Sequence, residues 1–158
     1  MRGLAMTASA IAQGESRVKS ETGPIPIERL AVSAYRIPTD SPESDGTLEW
    51  ESTTLVIVEI AAGGATGLGY TYADTATASL IGDSLAGVIR GLDAMSIPSA
   101  WSAMVDSIRN LGRAGIASMA ISGVDTALWD LKGKLLDLPL ITLLGSSRKA
   151  APIYGSGG

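Results

Sequence analysis

Apolar and polar positions change their period twice along this chain, from two to about 3.6 and finally to an unbroken apolar run. Glu28 to Tyr35 (ERLAVSAY) follows Pro24 and Pro26 and precedes Pro38, which predicts a strand bounded by proline punctuation. Thr39 to Thr47 (TDSPESDGT) is turn chemistry throughout, with Asp45-Gly46 as the reversal. Glu51 to Ile60 (ESTTLVIVEI) is β-branched, and toward its end it is apolar on both faces, the strongest strand signal in the sequence. Glycines 63, 64, 67 and 69 mark a second turn, followed by a short third strand from Gly67 to Tyr72. Three strands joined by tight turns predict an antiparallel meander.

The period then becomes helical. Asp74 is placed to cap a helix carrying Ile81, Leu85, Val88 and Ile89, with Gly91 past its end. Pro98 suits a helix start, and Trp101, Met104, Val105, Ile108 and Leu111 form an amphipathic stripe ended by Gly112. In the third helix Ile116, Met119, Ala120, Gly123, Ala127, Leu131 and Leu135 recur on one face. Pro139 pushes Leu138 toward extended geometry, which ends that helix near Asp137. Leu140, Ile141, Leu143 and Leu144 then crowd four large side chains into five residues. So short a run is no core of its own and must bury against another surface. Ala151 to Gly158 (APIYGSGG) reads as a short strand followed by glycines. Strands followed by a run of helices predict an α+β order, not a parallel sheet.

Composition narrows the chemistry. The 158 residues have room for about one domain with a real core. A net charge of −4 without a basic cluster argues against nucleic acid or an anionic membrane as partner. No stretch approaches the length of a membrane-spanning helix. With no Cys and no His, disulfides, thiolate zinc sites and imidazole bases are excluded, leaving carboxylates, Lys, Tyr or Ser. The start, MRGLAMTASAIAQG, has the basic residue, short apolar run and Ala-Ser-Ala of a secretory signal. Its run is barely hydrophobic, however, so residues 1–24 are read as a flexible leader, with Met6 as a candidate start.

Several motifs fail on inspection. GGATGLGYT lacks the Lys-Ser/Thr of a phosphate-binding loop and does not open a helix, so its glycines are read as turn residues. Ser156 between Gly155 and Gly157 lacks the flanking pattern and the His partner of a nucleophile elbow. Asp125 and Asp130 lie about 140° apart around a helix, so they do not converge on one metal. Asp130 stands four residues before Lys134, the spacing of a helical ion pair. Trp101 and Trp129 are read as packing residues.

One stretch resembles a known family. Ala120, Ser122, Gly123, Val124, Asp125, Ala127, Leu128, Asp130, Leu131, Gly133 and Lys134, then Pro139, Leu140, Leu143, Leu144 and Gly145, match a signature without a gap. It is that of the enolase superfamily, in its mandelate racemase and muconate-lactonizing branch. The resemblance implies a capping domain, a meander with helices on one face, over residues 25–150. It further implies that residues 151–158 are the first strand of an (α/β)-barrel, a fold of about 250 residues of which this sequence holds one strand. In that family Mg²⁺ holds the enediolate formed when a proton is removed next to a carboxylate. The metal acids and the base sit on later barrel strands, so neither catalytic nor metal-binding residues are expected in this chain, and none of the Mg²⁺.

By the same resemblance, the loops from Arg36 to Trp50 and from Gly69 to Asp74 fold over the barrel mouth and shape the substrate cavity. Tyr70, Tyr72, Arg36 and Ser156 are the residues this nominates to meet a small, acid-sugar-like carboxylate. Asp40, Glu43, Asp45 and Glu49 make the first loop acidic, and an ordinary hydrophilic hairpin explains them equally well. Two readings stay open at this point. One is a truncated racemase, cycloisomerase or acid-sugar dehydratase, cytoplasmic and homo-oligomeric. The other is a non-catalytic module that complements a separate barrel chain or pairs with itself.

Overall fold

The fold, a computed structural model, is described for residues 23–155. Three strands, β1 (Arg29–Ser44), β2 (Glu49–Ala62) and β3 (Ala65–Tyr72), form an antiparallel sheet in the order β1-β2-β3. Helices α1 (Thr75–Leu80), α2 (Ala86–Ile89), α3 (Ile97–Ser107), α4 (Ile116–Leu136) and α5 (Leu140–Leu144) follow, with a π-helical turn at Ile81–Leu85 between α1 and α2. The meander and the α+β order are those the sequence predicts. Even-numbered β2 residues Val56, Val58, Ile60 and Ala62 are buried, and they meet Ile81, Leu85, Ile97, Met104, Val124, Leu128 and Leu131 in one core. Before β1, Ile27 donates to Leu92 O at 2.8 Å and Ala94 donates to Ile25 O at 2.8 Å, and Asp93 Oδ1 accepts from Ile25 N–H at 3.0 Å. These bonds pin the entry of the chain beside the helices.

The first strand is far longer than its prolines suggest. Pro38 does not close it: pairing runs from Arg29↔Ala61 to Pro38↔Ser52, shifts, and resumes at Glu43↔Trp50 and Ser44↔Glu49. Because β1 lies at the edge of the sheet, Pro38 and Pro42 need no ladder donor on the open side, and the shift is a bulge that absorbs them. The segment from Arg36 to Trp50 is therefore not a loop but the arms of an extended hairpin, and only Asp45–Leu48 turns.

Gly67 and Gly69 are also not turn residues. The turn is Gly63-Gly64, both at positive φ (57° and 79°), whereas Gly67 and Gly69 lie inside β3 and face the helices. A methyl group at Gly67 would lie 2.1 Å from the Ala127 carbonyl oxygen, and one at Gly69 would lie 2.1 Å from that of Gly123. Their missing side chains let the backbone of α4 rest directly on β3.

The π turn also has a sequence cause. Thr77, Ile81, Leu85 and Ile89 are all fully buried and spaced four apart. At about 100° per residue such a stripe drifts about 40° at each step, and the looser π turn takes up the drift.

Elsewhere the differences concern exposure. Helix α3 ends at Ser107, so Leu111 falls beyond it, largely exposed. Ile116 and Met119 turn partly to solvent, while Ala117, Ile121 and Val124 are buried instead. Burial on α4 is thus wider than one stripe, because β3 and α3 pack on different sides of it. The helix stops where Pro139 requires, with Asp137 left-handed at φ 52°. Residues 151–155, expected to be a strand, pair with no strand among the described residues. The flexible leader expected at 1–24 lies, up to residue 22, outside the described residues.

Candidate functional site

Strand alternation decides which nominated residues meet. Odd-numbered positions of β2 face away from the helices. Opposite them, Leu55 pairs with Tyr72 and Tyr35, and Ile57 pairs with Tyr70 and Ser33. The outer face of the sheet is consequently aromatic and aliphatic. Tyr70 and Tyr72 are 58% and 60% exposed, with ring centroids 6.1 Å apart, edge to face. With Leu55, Ile57 and Leu68 they line a shallow depression of about 180 Å³. Both tyrosines are strand residues rather than members of a Gly69–Asp74 loop, which fixes their backbones. The depression offers apolar walls and two hydroxyl tips, suited to binding and to excluding water rather than to moving protons.

Arg36 is not part of this surface. As an even-numbered residue of β1 it lies on the other face, where its Nε donates to Ser52 Oγ at 2.7 Å. The structure therefore does not bring Arg36 together with Tyr70 and Tyr72. Ser156 lies outside the described residues. Leu55, Ile57, Leu68 and Tyr35 belong to the surface without having been nominated from the sequence. The signal for them was the apolar character of β2 on both faces, which a one-sided sheet does not need.

The acidic hairpin is locally satisfied. Asp45 Oδ1 accepts the Thr47 hydroxyl at 2.6 Å, the Thr47 N–H at 2.8 Å and the Leu48 N–H at 2.9 Å. The Thr47 hydroxyl, helped by the two backbone donors, pulls its carboxyl down to about 2. Glu43 accepts the Trp50 indole N–H at 3.0 Å across the hairpin. Among the described residues no group of three or more Asp, Glu, His or Cys side chains lies close enough to hold a metal ion.

Of the two signature acids, Asp130 has structural work. Asp130 Oδ2 accepts the Leu68 N–H at 2.7 Å and pairs with Lys134 Nζ at 2.6 Å, and Lys134 also donates to Thr66 O at 2.8 Å. Burial works against the charge of Asp130, but Lys134 and the Leu68 N–H outweigh it and lower its pKa. Asp125 has no such partner, and burial raises its pKa. It lines a second cavity of about 220 Å³ with Trp101, Arg113 and Ser122, and the Arg113 guanidinium sits 5.0 Å from the Trp101 ring centroid. At the other end of α4, Trp129, Gly133, Lys134, Leu138 and Leu140 border a cleft of about 340 Å³.

Helix α5 buries no residue, and Ile141 and Leu144 are 61% and 58% exposed. Ile153 and Tyr154 are almost fully exposed. Within that apolar run Leu143 alone turns partly inward, toward Gly133 of α4, while Leu140, Ile141 and Leu144 stay exposed among the described residues. No helix among them is long and apolar enough to cross a membrane.

Comparison with known proteins assigns this arrangement. Residues 33–145 match the model of the mandelate racemase / muconate lactonizing enzyme N-terminal domain. A 3,6-anhydro-alpha-L-galactonate cycloisomerase of Streptomyces coelicolor is 39% identical over 83% of the chain, which spans 38% of that enzyme. A mandelate racemase/muconate lactonizing enzyme-like protein from Rubrobacter xylanophilus superposes with a TM-score of 0.73 at 55% identity, over 75% of this chain and 33% of that one. An L-talarate dehydratase from Polaromonas sp., solved with Mg and L-glucarate, superposes with a TM-score of 0.69 at 30% identity, over 78% and 36%. The sheet, the close seat of α4 and the matched domain together establish that the chain belongs to the mandelate racemase and muconate-lactonizing branch of the enolase superfamily, as its N-terminal domain.

Proposed function

We propose that this chain is the substrate-specificity cap of a Mg²⁺-dependent acid-sugar dehydratase, cycloisomerase or racemase, residues 25–150 forming the cap and 151–158 the first strand of its barrel. The observation that carries the reading is an apolar α5 and tail left uncovered beside a fully formed core. In this reading the barrel supplies the metal ligands, the base and the electrophile, and the cap supplies walls. Tyr70 and Tyr72 line one side of the substrate cavity and the extended hairpin closes over it, while Arg36, on the opposite face of the sheet beside Ser52, stands outside that cavity. Ser156 stands at the barrel mouth. Alone, the chain is catalytically inactive, and in the assembled enzyme it works in the cytoplasm as a homo-oligomer.

The test joins residues 1–150 in frame to the barrel of the Rubrobacter protein and assays a panel of acid-sugar carboxylates with Mg²⁺. Turnover by the chimera, absent from the 158-residue chain, is the expected result. Tyr70→Ala should shift the ranking of substrates, raising KM for the favoured one about tenfold or more. A chimera that folds and is inert toward the whole panel, or a Tyr70→Ala variant with an unchanged ranking, overturns the assignment.

A further inference from the structure

Asp125 is the signature acid left without a partner. Half-buried on α4, it lines the cavity of about 220 Å³ with Trp101, Arg113 and Ser122, and no hydrogen bond or ion pair reaches it among the described residues. The surrounding cations are engaged elsewhere. Lys132, seven residues on along the same side of α4, donates to Met95 O at 2.9 Å, and Lys134 pairs with Asp130. Arg113 borders the cavity, but its guanidinium is held over the Trp101 ring and makes no ion pair with Asp125. A carboxylate kept partly out of water without a cation costs free energy, and only a partner from outside the described residues offsets that cost.

The cavity is continuous with the uncovered apolar surface. One turn beyond Asp125, Trp129 borders the cleft of about 340 Å³ together with Leu138 and Leu140, where α5 begins. Ser118, Ser122 and Thr126 present short, exposed side chains along the same side of α4. From Asp125 to its end at Leu136 the helix rises about 16 Å, less than the radius of gyration of about 18 Å for a barrel of about 250 residues. A body of that size seated on α5 is large enough to cover the cavity too.

We propose that the barrel part of the enzyme places a basic side chain, Lys or Arg, against Asp125 in this cavity, which makes Asp125 the charged anchor between cap and barrel. This pairing presupposes that the chain is the cap of a barrel enzyme and that α5 marks the seam; it does not depend on Tyr70 as a wall of the substrate cavity. Asp125 lies among the helices, whereas Tyr70 and Tyr72 face away from them, so it is a positioning residue and not a substrate contact. Its charge destabilises the chain alone and stabilises the joined protein, and that change of sign is what a structural role within the cap would not produce.

Thermal melts of Asp125→Asn and Asp125→Glu test this in two proteins, the 158-residue chain and the chimera that joins residues 1–150 to the Rubrobacter barrel. In the chain alone Asp125→Asn should raise the melting temperature by about 2 °C or more, and in the chimera it should lower it by a similar amount. Asp125→Glu, which keeps the charge, should retain most of the chimera's stability. Trypsin cutting at Arg148 and Lys149, which lead into the barrel, should quicken at least about threefold in the Asp125→Asn chimera but not in the chain, where those residues are already exposed. Arg113→Gln should leave the reversal of sign in place. A shift in the same direction in both proteins overturns the proposal. So does a reversal that disappears with Arg113, since Arg113 would then be the partner. Turnover is read separately: an inert chimera that shows the reversal supports the pairing and counts against the catalytic reading, and an active chimera without the reversal overturns the pairing alone.

Discussion

Gly69 holds the tightest contact between sheet and helix. With no room for a methyl group against the Gly123 carbonyl, Gly69→Ala must push α4 off β3. We expect a loss of about 3 kcal/mol or more, read by chemical denaturation. Asp125 behaves in the opposite sense. Its pKa is raised by burial, so the stability it contributes is present below its unfolded value and lost as pH rises through its folded one. At neutral pH its charge is therefore a liability in this chain, and Asp125→Asn should raise the melting temperature. A fall on that substitution would mean that the carboxylate has a partner. The glycines were visible in the sequence but were assigned to a turn, because glycine signals a reversal and a close approach alike. Only the position of α4 tells the two apart.

Among the elements, the hairpin and the π turn carry the clearest expectations. Asp45 is held at about 2 by the Thr47 hydroxyl and two backbone N–H groups. As a lowered carboxyl, it supports the turn above its unfolded pKa and releases it as pH falls through about 2. Amide exchange at Thr47 and Leu48 should accelerate between about pH 4 and 2, and Asp45→Asn should blunt that change. The π turn makes a different test. Deleting the exposed Asp83 brings the buried residues to steps of four, three and four, which an ordinary α-helix satisfies. Helix content should persist and stability should change by less than about 1 kcal/mol, whereas an alanine inserted after Asp83 should cost far more. The spacing of Thr77, Ile81, Leu85 and Ile89 stood in the sequence, but an amphipathic helix and a π-interrupted one share the same apolar residues. Pro38 misled for a related reason. A proline ends a central strand, yet an edge strand accommodates it, and which strand lies at the edge is not a local property.

At the scale of the whole molecule, the apolar surface of α5 and the exposed tail separate a finished core from an unfinished face. The chain should bind an environment-sensitive hydrophobic dye while still unfolding cooperatively, and Ile141→Glu with Leu144→Glu should cut that binding by at least about half. A dye signal indifferent to those changes would place the exposed surface elsewhere, with the tyrosines of β3 as the first alternative. By itself the sequence determined the meander, the order of the helices, the stop at Asp137 and the family, because periodicity, proline and an ungapped signature are properties of neighbours along the chain. Tertiary structure alone decided that Arg36 and Tyr70 lie on opposite faces, that Gly67 and Gly69 seat a helix, and that Asp130 and Lys134 close the β3 edge of the sheet. Each of those depends on strand register and on which surfaces come into contact, and a side chain's face is set by its partner across the sheet rather than by the residues beside it.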